Sequence, residues 1–174
     1  MSFSMSRVKA ILETSREPLF NNRYMVSISP KGSLAVSAMG NLEKLGMMAS
    51  KVAIPGFNIE LADFAVGTKN VGVPIQESLE DLSVTFYNTG DEYKSIYGLK
   101  NAIYNPLKFT VAYYSDIIVN MAISVYDRAN TTVGTYNLQN CVLKSLGSIE
   151  LSYEEATEVQ KFDTTWSCLG MLYN

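Results

Sequence analysis

The sequence contains no histidine among its 174 residues. Histidine is the usual general base near neutral pH, and it completes the Ser-His-Asp and Cys-His nucleophile systems. Its absence excludes those catalytic arrangements and any zinc site that uses histidine. The only cysteines are Cys141 and Cys168, too few for a structural zinc cluster of four thiolates. The common routes to hydrolytic and zinc chemistry are therefore closed to this chain.

The two cysteines leave two states open. Cys141 and Cys168 could form a disulfide, or they could remain reduced and buried, which is the usual state in a cytoplasmic protein. Residues 1–12 lack the apolar segment of a signal peptide. No apolar run approaches the ~20 residues of a membrane span. We therefore expect a protein made in the cytoplasm, with reduced cysteines and no membrane span.

Positive charge is also scarce. The formal net charge is −3, the isoelectric point is about 5.0, and the 14 basic residues are scattered singly. A nucleic-acid-binding protein normally presents a basic surface to phosphates, so specific nucleic-acid binding is not expected. Hydrophobic residues, in contrast, make up 47% of the chain and include 11 Tyr and 7 Phe. This composition supports one folded, strand-rich domain and argues against disorder.

Alternating apolar and polar residues predict a chain built mainly from β-strands. Leu82, Val84 and Phe86 alternate with polar neighbours in the clearest example. Further strands are predicted over 23–28, 51–54, 57–61, 107–114, 117–127, 133–143, 148–154 and 159–172. The predicted core residues are Leu82, Val84, Phe86, Ile96, Phe162 and Trp166.

One helix is predicted over about 90–105. Thr89 and Glu92 have the S/T-x-x-E spacing of a capping box, and Pro106 ends the helix. Its apolar stripe consists of Tyr93, Ile96, Tyr97, Ile103 and Tyr104. Residues 1–22 are interpreted as an N-terminal arm and residues 30–46 as a long connection. Residues 23–174 are then a single β domain.

The Pro55-Gly56 dipeptide predicts the turn of a hairpin over about 47–66. The second arm of that hairpin leads into a predicted loop from Gly67 to Glu77, which has few apolar anchors. Gly67 and Gly72 have the spacing of P-loop glycines. However, Val73-Pro74 stands where the lysine and the hydroxyl residue are required, so nucleotide binding is not indicated.

The clustered carboxylates also give no indication of catalysis. They occur at predicted turns and at the predicted helix start, where acidic side chains are routinely solvated, and no EF-hand loop surrounds them. We therefore expect no enzymatic activity, no metal and no cofactor.

Several strings, taken in order, resemble the tail tube proteins of contractile-tailed bacteriophages. The first are Pro18-Leu19-Phe20 and the Ile54-Pro55-Gly56 turn. The acidic pair Glu80-Asp81 then opens an alternating strand that ends in Asn88, just before the helix. The C-terminal part follows with 143–147, 149–153 and 160–166. The resemblance covers roughly 18–28 and 50–174, and residues 30–46 depart from it.

The resemblance implies a mainly β fold of two orthogonally packed antiparallel sheets, a sandwich or barrel, with one flanking α-helix. It implies a structural virion protein: six copies close into a ring, and rings stack into a hollow tube inside the contractile sheath. Unpaired strand edges and head-to-tail stacking suit such an assembly. The implied partners are the tail sheath protein, a baseplate tube initiator, a tail terminator and phage DNA, which passes through the lumen to the host without specific binding. Assembly would take place in the host bacterial cytoplasm.

Within that architecture, we expect the hairpins at about 47–66 and 117–143 to form the lumenal sheet. The lumen-lining candidates are Glu60, Asn120, Ser124, Asn137 and Gln139, whose side chains would hold phosphates only weakly. The ring-stacking candidates are Gly67, Thr68, Lys69, Asn70, Gly72 and Pro74, in a loop expected to be mobile before stacking.

Other functions stay open. A tube protein of a non-phage contractile injection system, such as an R-type bacteriocin or a secretion tube, would share the fold. A baseplate tube initiator would cap one ring instead of repeating. A monomeric enzyme is disfavoured by the missing histidine and the missing catalytic motifs.

Overall fold

A computed structural model of the protein describes residues 23–39, 42–66, 69–149 and 159–174. These residues form eleven strands and four helices. The strands are β1 (Tyr24–Pro30), β2 (Ala49–Ala53), β3 (Phe57–Val66), β4 (Lys69–Leu79), β5 (Leu82–Tyr87), β6 (Tyr104–Asn105), β7 (Thr110–Val111), β8 (Val119–Tyr126), β9 (Thr132–Leu146), β10 (Lys161–Ser167) and β11 (Gly170–Tyr173). The helices are α1 (Ser33–Ala38), α2 (Leu42–Met47), α3 (Asp91–Ile103) and α4 (Tyr114–Ile117). The predicted arm 1–22 lies outside the described residues.

Seven strands form one antiparallel system in which β9 belongs to two sheets. Sheet A consists of β1, β8, the first part of β9 and β11. Sheet B consists of the second part of β9 with β10, β5 and β2. The change occurs near Cys141, because Gln139 is opposite Gly170 of β11 and Val142 is opposite Ser167 of β10. A strand that passes between sheets makes the corner of a β-sandwich. The predicted mainly β, antiparallel fold is confirmed.

The hydrophobic core lies between the two sheets. The six predicted core residues are all buried: Leu82, Val84, Phe86, Ile96, Phe162 and Trp166. Val26, Met121, Ile123 and Leu138 of sheet A pack in the same cluster. The Trp166 indole N–H donates to the Thr164 hydroxyl at 2.9 Å, and that hydroxyl donates to the Val84 carbonyl oxygen, also at 2.9 Å. The polar atoms in the centre of the core are therefore satisfied.

Helix α3 begins at a buried carboxylate. The backbone N–H of Thr89 donates to Glu92 Oε2 at 2.9 Å, which is one half of the predicted capping box. The Thr89 hydroxyl does not provide the other half, because it donates to the same carboxylate oxygen at 2.6 Å. Lys44 of α2 lies 3.3 Å from Glu92 Oε1. Burial raises the pKa of Glu92, but the bonds from Thr89, the N–H of Glu92 itself and Lys44 outweigh burial and lower the pKa to about 2. The start of α3 is thereby tied to α2.

The prediction of a single helix is wrong, because residues 30–46 contain α1 and all of α2 except its last residue, Met47. Both helices have only six residues, and isolated helices of that length are unstable. Tertiary packing stabilises them instead: Ala35 and Met39 are buried one turn apart, and Leu45 is buried in α2. The Gly- and Ser-rich composition hid these few apolar positions.

Three predicted strand assignments are also wrong. The 47–66 hairpin does not form, because β2 pairs with β5 and places Val52 opposite Val84. Residues 107–114 contain a turn, the short strand β7 and the start of α4. The predicted strand 159–172 divides at Cys168 and Leu169 into β10 and β11, which belong to different sheets. The predicted strand 148–154 lies largely outside the described residues.

The cysteines differ from the expectation of two reduced thiols. Cys141 and Cys168 are joined in a disulfide, with Cα atoms 3.9 Å apart. Cys141 lies where β9 changes partners, and Cys168 lies in the link between β10 and β11. The fold brings together two residues that are 27 positions apart, which their spacing alone could not indicate. The disulfide fixes the corner shared by both sheets.

Candidate assembly surfaces

The strands of sheet A carry uncharged side chains on their outer face, and the cations Arg23 and Lys31 stand at the two ends of β1. Residues alternate along each strand, so the neighbours of buried Met121 and Ile123 point away from the core. With the strand register, this places on the outer face Met25, Ser27, Ser29, Asn120, Ala122, Ser124, Tyr126, Thr135, Asn137, Gln139 and Leu172. No Asp, Glu, Lys or Arg occurs among these described positions. The face therefore presents mainly hydroxyl and amide groups.

Two contacts on this face organise the sheet itself. Ser124 Oγ and Thr135 Oγ1 are 3.3 Å apart on neighbouring strands. Asn120 Oδ1 accepts the N–H of Asn140 at 2.9 Å, beside the register shift between β8 and β9. Asn140 has a φ of +50°, so Asn120 holds a left-handed residue in place. The alternation that marked Asn120 as an outward residue could not reveal this structural role.

The structure brings four of the five predicted lumen residues together. Asn120, Ser124, Asn137 and Gln139 share the outer face of sheet A. Glu60 does not join them, because it lies on β3, which pairs only with β4 among the described strands. Sequence alternation could show which residues of one strand share a face. It could not show that β3 lies outside sheet A, because that depends on strand pairing.

The two edges of sheet A differ. At β1, helix α2 packs against the strand, and a side chain at Gly46 would collide with the Val26 carbonyl oxygen. At the other edge, β11 pairs with β9 alone among the described strands. Two backbone bonds between Asn174 and Thr135, of 2.9 and 3.1 Å, extend that pairing to the last residue. The outer edge of β11 is therefore the more accessible one for another strand.

Strands β3 and β4 form a separate two-stranded ribbon. The prediction of a loop from Gly67 to Glu77 is wrong for residues 69–77, which belong to β4. Val71, Val73 and Ile75 have the spacing of a strand, but Gly72 and Pro74 obscured the pattern. Proline is tolerated in a strand with one unpaired side, and here it stands beside a register shift.

The ribbon carries the ring-stacking candidates on an exposed surface. Lys69, Asn70, Gly72 and Pro74 are exposed on β4, whereas Gly67 and Thr68 lie outside the described residues. The two strands contact chiefly each other. Seven large apolar side chains on the ribbon are exposed: Phe57, Ile59, Leu61, Phe64, Val71, Val73 and Ile75. Isolated two-stranded hairpins are marginally stable in water, and an apolar surface of this extent marks an interaction site.

A groove separates the base of the ribbon from the accessible edge of sheet A. It is lined by Glu77, Leu79, Gln139, Leu169, Gly170, Met171 and Leu172. Both the ribbon and β11 thus contribute to one mixed polar and apolar surface, beside a strand edge that is unpaired among the described strands.

Two further searches of the described residues were negative. No group of three or more Cys, Asp or Glu side chains is arranged to hold a metal ion among them. No helix in this part of the chain is long and apolar enough to cross a membrane.

Comparison with known proteins identifies the fold. No protein-family model and no curated protein sequence matches the chain. Among solved structures, a chain of the extended sheath–tube complex of the extracellular contractile injection system PVC matches with a TM-score of 0.68 and 14% identity, over 99% of both chains. The tube-terminating cap of the anti-feeding prophage matches with a TM-score of 0.68 and 15% identity, over 92% of this chain and 93% of the other.

A phage structure is also similar. The SPP1 tail tube matches with a TM-score of 0.50 and 13% identity, over 90% of this chain and 79% of the other. These identities are too low to carry over contacts or partners residue by residue. The chain has the fold of the tail tube proteins of phages and contractile injection systems, as its sequence resemblance predicted.

Proposed function

We propose that this chain is a tube subunit whose copies close into rings and stack into a hollow conduit. The observation that carries the proposal is the uncharged, hydroxyl- and amide-rich outer face of sheet A. A conduit wall should be wet but should not hold its cargo. Neutral polar groups meet that need, because they offer neither phosphates nor charged protein surfaces a strong electrostatic contact.

Sheet geometry supports ring closure by rotation. Sheet A has four antiparallel strands, so its two edge strands, β1 and β11, run in opposite directions. Copies related by rotation about an axis therefore place the β11 edge of one copy antiparallel to the β1 side of the next copy, where α2 lies beside Val26. A head-to-tail contact of this kind closes into a ring, and six copies is the number implied by the sequence resemblance.

The exposed ribbon supports contacts between copies. Its apolar side chains are left uncovered by the rest of the described chain. A tube subunit always has neighbours, in its own ring and in the rings above and below, that can cover such side chains. We therefore assign the subunit an assembly role without catalysis, inside a sheath and between a baseplate initiator and a terminator.

A contractile injection machine is the first candidate for the host assembly. The two injection-system structures match with TM-scores of 0.68, whereas the SPP1 tail tube matches with 0.50. The second candidate is a contractile phage tail, in which the same neutral wall would pass a genome. Nucleic acid within isolated particles distinguishes the two: the phage function requires a packaged genome, and the injection function does not.

Electron microscopy of the purified protein tests the proposed assembly. We expect six-membered rings or stacked tubes at high concentration or on a preformed ring, and native mass spectrometry should show hexamers. A protein that stays monomeric under all of these conditions is not a tube subunit.

Labelling tests which sheet faces the bore. Ser27→Cys places a thiol on the outer face of sheet A, and Lys161→Cys places one on the exposed outer face of sheet B. A thiol-reactive gold cluster should add density inside the tube for Ser27→Cys and outside the bore for Lys161→Cys. The reverse result would show that sheet A is not the lumen wall.

A further inference from the structure

The ribbon has two apolar patches, and they lie on opposite faces. Cross-strand pairs share a face, and successive residues alternate between faces. Near the base, one face carries the base patch: Phe57, Ile59, Leu61, Pro74 and Leu79. Near the tip, the other face carries the tip patch: Ala62, Phe64, Val71 and Val73. Each patch thus occupies one half of the ribbon and one side of it.

Polar residues complete the pattern. Opposite the base patch lie Asn58, Glu60, Gln76 and Ser78. Opposite the tip patch lie Asp63, Ala65, Asn70 and Gly72, of which only Ala65 has an apolar side chain. Ribbon twist rotates both faces gradually, whereas this reversal falls between the adjacent residues Leu61 and Ala62.

A β-bulge places the apolar residues of β4 on the same face of the ribbon as the apolar residues of β3. Glu60 pairs with Gln76 and Leu61 pairs with Pro74, which leaves Ile75 as an extra residue in β4. If Ile75 instead took a regular place in the ladder opposite Leu61, Val71 and Val73 would fall on the same face as Asp63. With the bulge, both valines join Phe64 and Ala62. The bulge therefore aligns the reversal in β4 with the reversal in β3.

One flat partner surface cannot cover both patches. The base patch belongs to the face that carries Glu77 and Leu79, and these two residues line the groove beside β11. Whatever continues sheet A at its β11 edge therefore also meets the base patch. The tip patch faces the other way, and the ribbon of about ten residue pairs extends it roughly 15–30 Å from the base.

We propose that the ribbon of one copy binds two other copies of this chain. The base patch is covered by the adjacent copy in the same ring, at the β11 edge. The tip patch is covered by a copy in the next ring. This inference rests on the proposed tube function, and it adds that the two contacts are divided between opposite faces of one arm. Ring closure then fixes the ribbon base and presents the tip to the next ring.

Face-matched double variants test the proposal. Val71→Thr with Val73→Thr changes the tip patch, and its control at the same level is Asp63→Thr with Ala65→Thr on the other face. Ile59→Thr with Leu61→Thr changes the base patch, and its control is Asn58→Thr with Glu60→Thr. Threonine is the replacing residue at every position, so the introduced side chain has the same strand propensity in all four variants.

The tip variant should form rings that do not stack, and the base variant should remain monomeric. Each should raise the protein concentration needed for its step by about tenfold or more, because two apolar groups lose their burial. Both controls should assemble like the original protein. All four should unfold at nearly the same temperature, since the ribbon is exposed. Native mass spectrometry measures rings, and electron microscopy measures tubes.

The possible failures are distinguishable. If the original protein forms tubes but a control blocks assembly as strongly as its matched variant, the face assignment is wrong. If the tip variant prevents ring closure, or the base variant still builds tubes, the division between two copies is wrong. If the original protein never forms rings, the proposed function fails, and this inference fails with it.

Discussion

The sandwich and the ribbon are built from the same kind of strand but meet opposite environments. In β10, Phe162 and Trp166 alternate with polar residues and are fully buried in the core. In β3, Phe57, Ile59 and Leu61 alternate in the same way, yet Phe57 is 63% exposed. Alternation thus specifies which side of a strand is apolar. It does not specify whether the apolar side is covered by the same chain or by another.

The difference indicates where each region obtains its stability. The sandwich is stabilised within one chain by a continuous core, a disulfide and the bond between Thr89 and Glu92 at the start of α3. Within the described residues the ribbon is held chiefly by the pairing of its own strands, and under the proposed function contacts with other copies supply the rest of its stability. Changes in the sandwich should therefore alter folding, and changes in the ribbon should alter assembly. The following predictions test that division on the unassembled subunit.

Trp166→Ala should produce the largest loss. Trp166 is fully buried and linked through Thr164 to Val84, so its removal leaves a cavity and an unpaired acceptor. We expect a decrease in the free energy of unfolding of ~3–5 kcal/mol, measured by urea denaturation. For comparison, Phe64→Ala removes an exposed aromatic ring of the ribbon and should change the free energy of unfolding by less than about 0.5 kcal/mol. Equal losses for the two variants would contradict the contrast.

The sequence predicts the central strands well because their burial is local in pattern. Leu82, Val84 and Phe86 alternate without interruption, and the helix starts at a recognisable Thr89–Glu92 pair. The sequence pattern does not predict the structure of segments whose conformation depends on tertiary contacts. Helices α1 and α2 depend on a few packed residues, and β2 depends on pairing with β5 across the chain.

The assembly surfaces show the same limit. Asn120, Ser124, Asn137 and Gln139 could be grouped because a hairpin joins their two strands. The separation of Glu60, the pairing of β4 and the contact of Cys141 with Cys168 all depend on long-range arrangement. Gly72 and Pro74 suggested a loop because the pattern alone does not show that one side of β4 is unpaired.

Reduction of the disulfide should produce the next largest effect. Cys141 and Cys168 are 27 positions apart, and closing a loop of that length stabilises a fold by ~3–4 kcal/mol in the chain-entropy description. We expect the oxidised protein to have the higher free energy of unfolding by that amount. Peptide mapping by mass spectrometry without reductant should recover the two cysteines as one linked pair. Two free thiols after mild oxidation of the folded protein would contradict the linkage.

Acid should weaken the sandwich through Glu92. The pKa of this carboxyl is lowered from 4.5 to about 2 in the folded protein, so the unfolded state binds a proton more readily. Its contribution to the free energy of unfolding is therefore complete above about pH 4.5 and is lost as the pH falls through about 2. The full contribution is up to about 3 kcal/mol. Glu92→Gln should lose that part of the pH dependence, whereas Glu60→Gln on the exposed ribbon should keep it. Parallel stability profiles for Glu92→Gln and the original protein would contradict this assignment.

The smallest expected effect concerns a residue that is exposed like the ribbon but belongs to the short β6–β7 hairpin. Phe109 is 78% exposed and has a φ of +52°, a conformation that is unfavourable for a bulky side chain. The other two non-glycine residues with positive φ among the described residues are Asn130 and Asn140, and asparagine tolerates this conformation better. Phe109→Asn should therefore raise the free energy of unfolding by about 0.5–1 kcal/mol.

Leu107→Asn is the matched control for Phe109→Asn. Leu107 is 89% exposed in the same turn and has no positive φ, so this change should bring no gain in a urea unfolding experiment. If Phe109→Asn instead destabilises the subunit, Phe109 packs within its own chain and the hairpin belongs with the sandwich. If Phe109→Asn stabilises the subunit but impairs tube formation, the strain at Phe109 is retained for contact with another copy. The β6–β7 hairpin would then resemble the ribbon in depending on a neighbour to cover its apolar side chains.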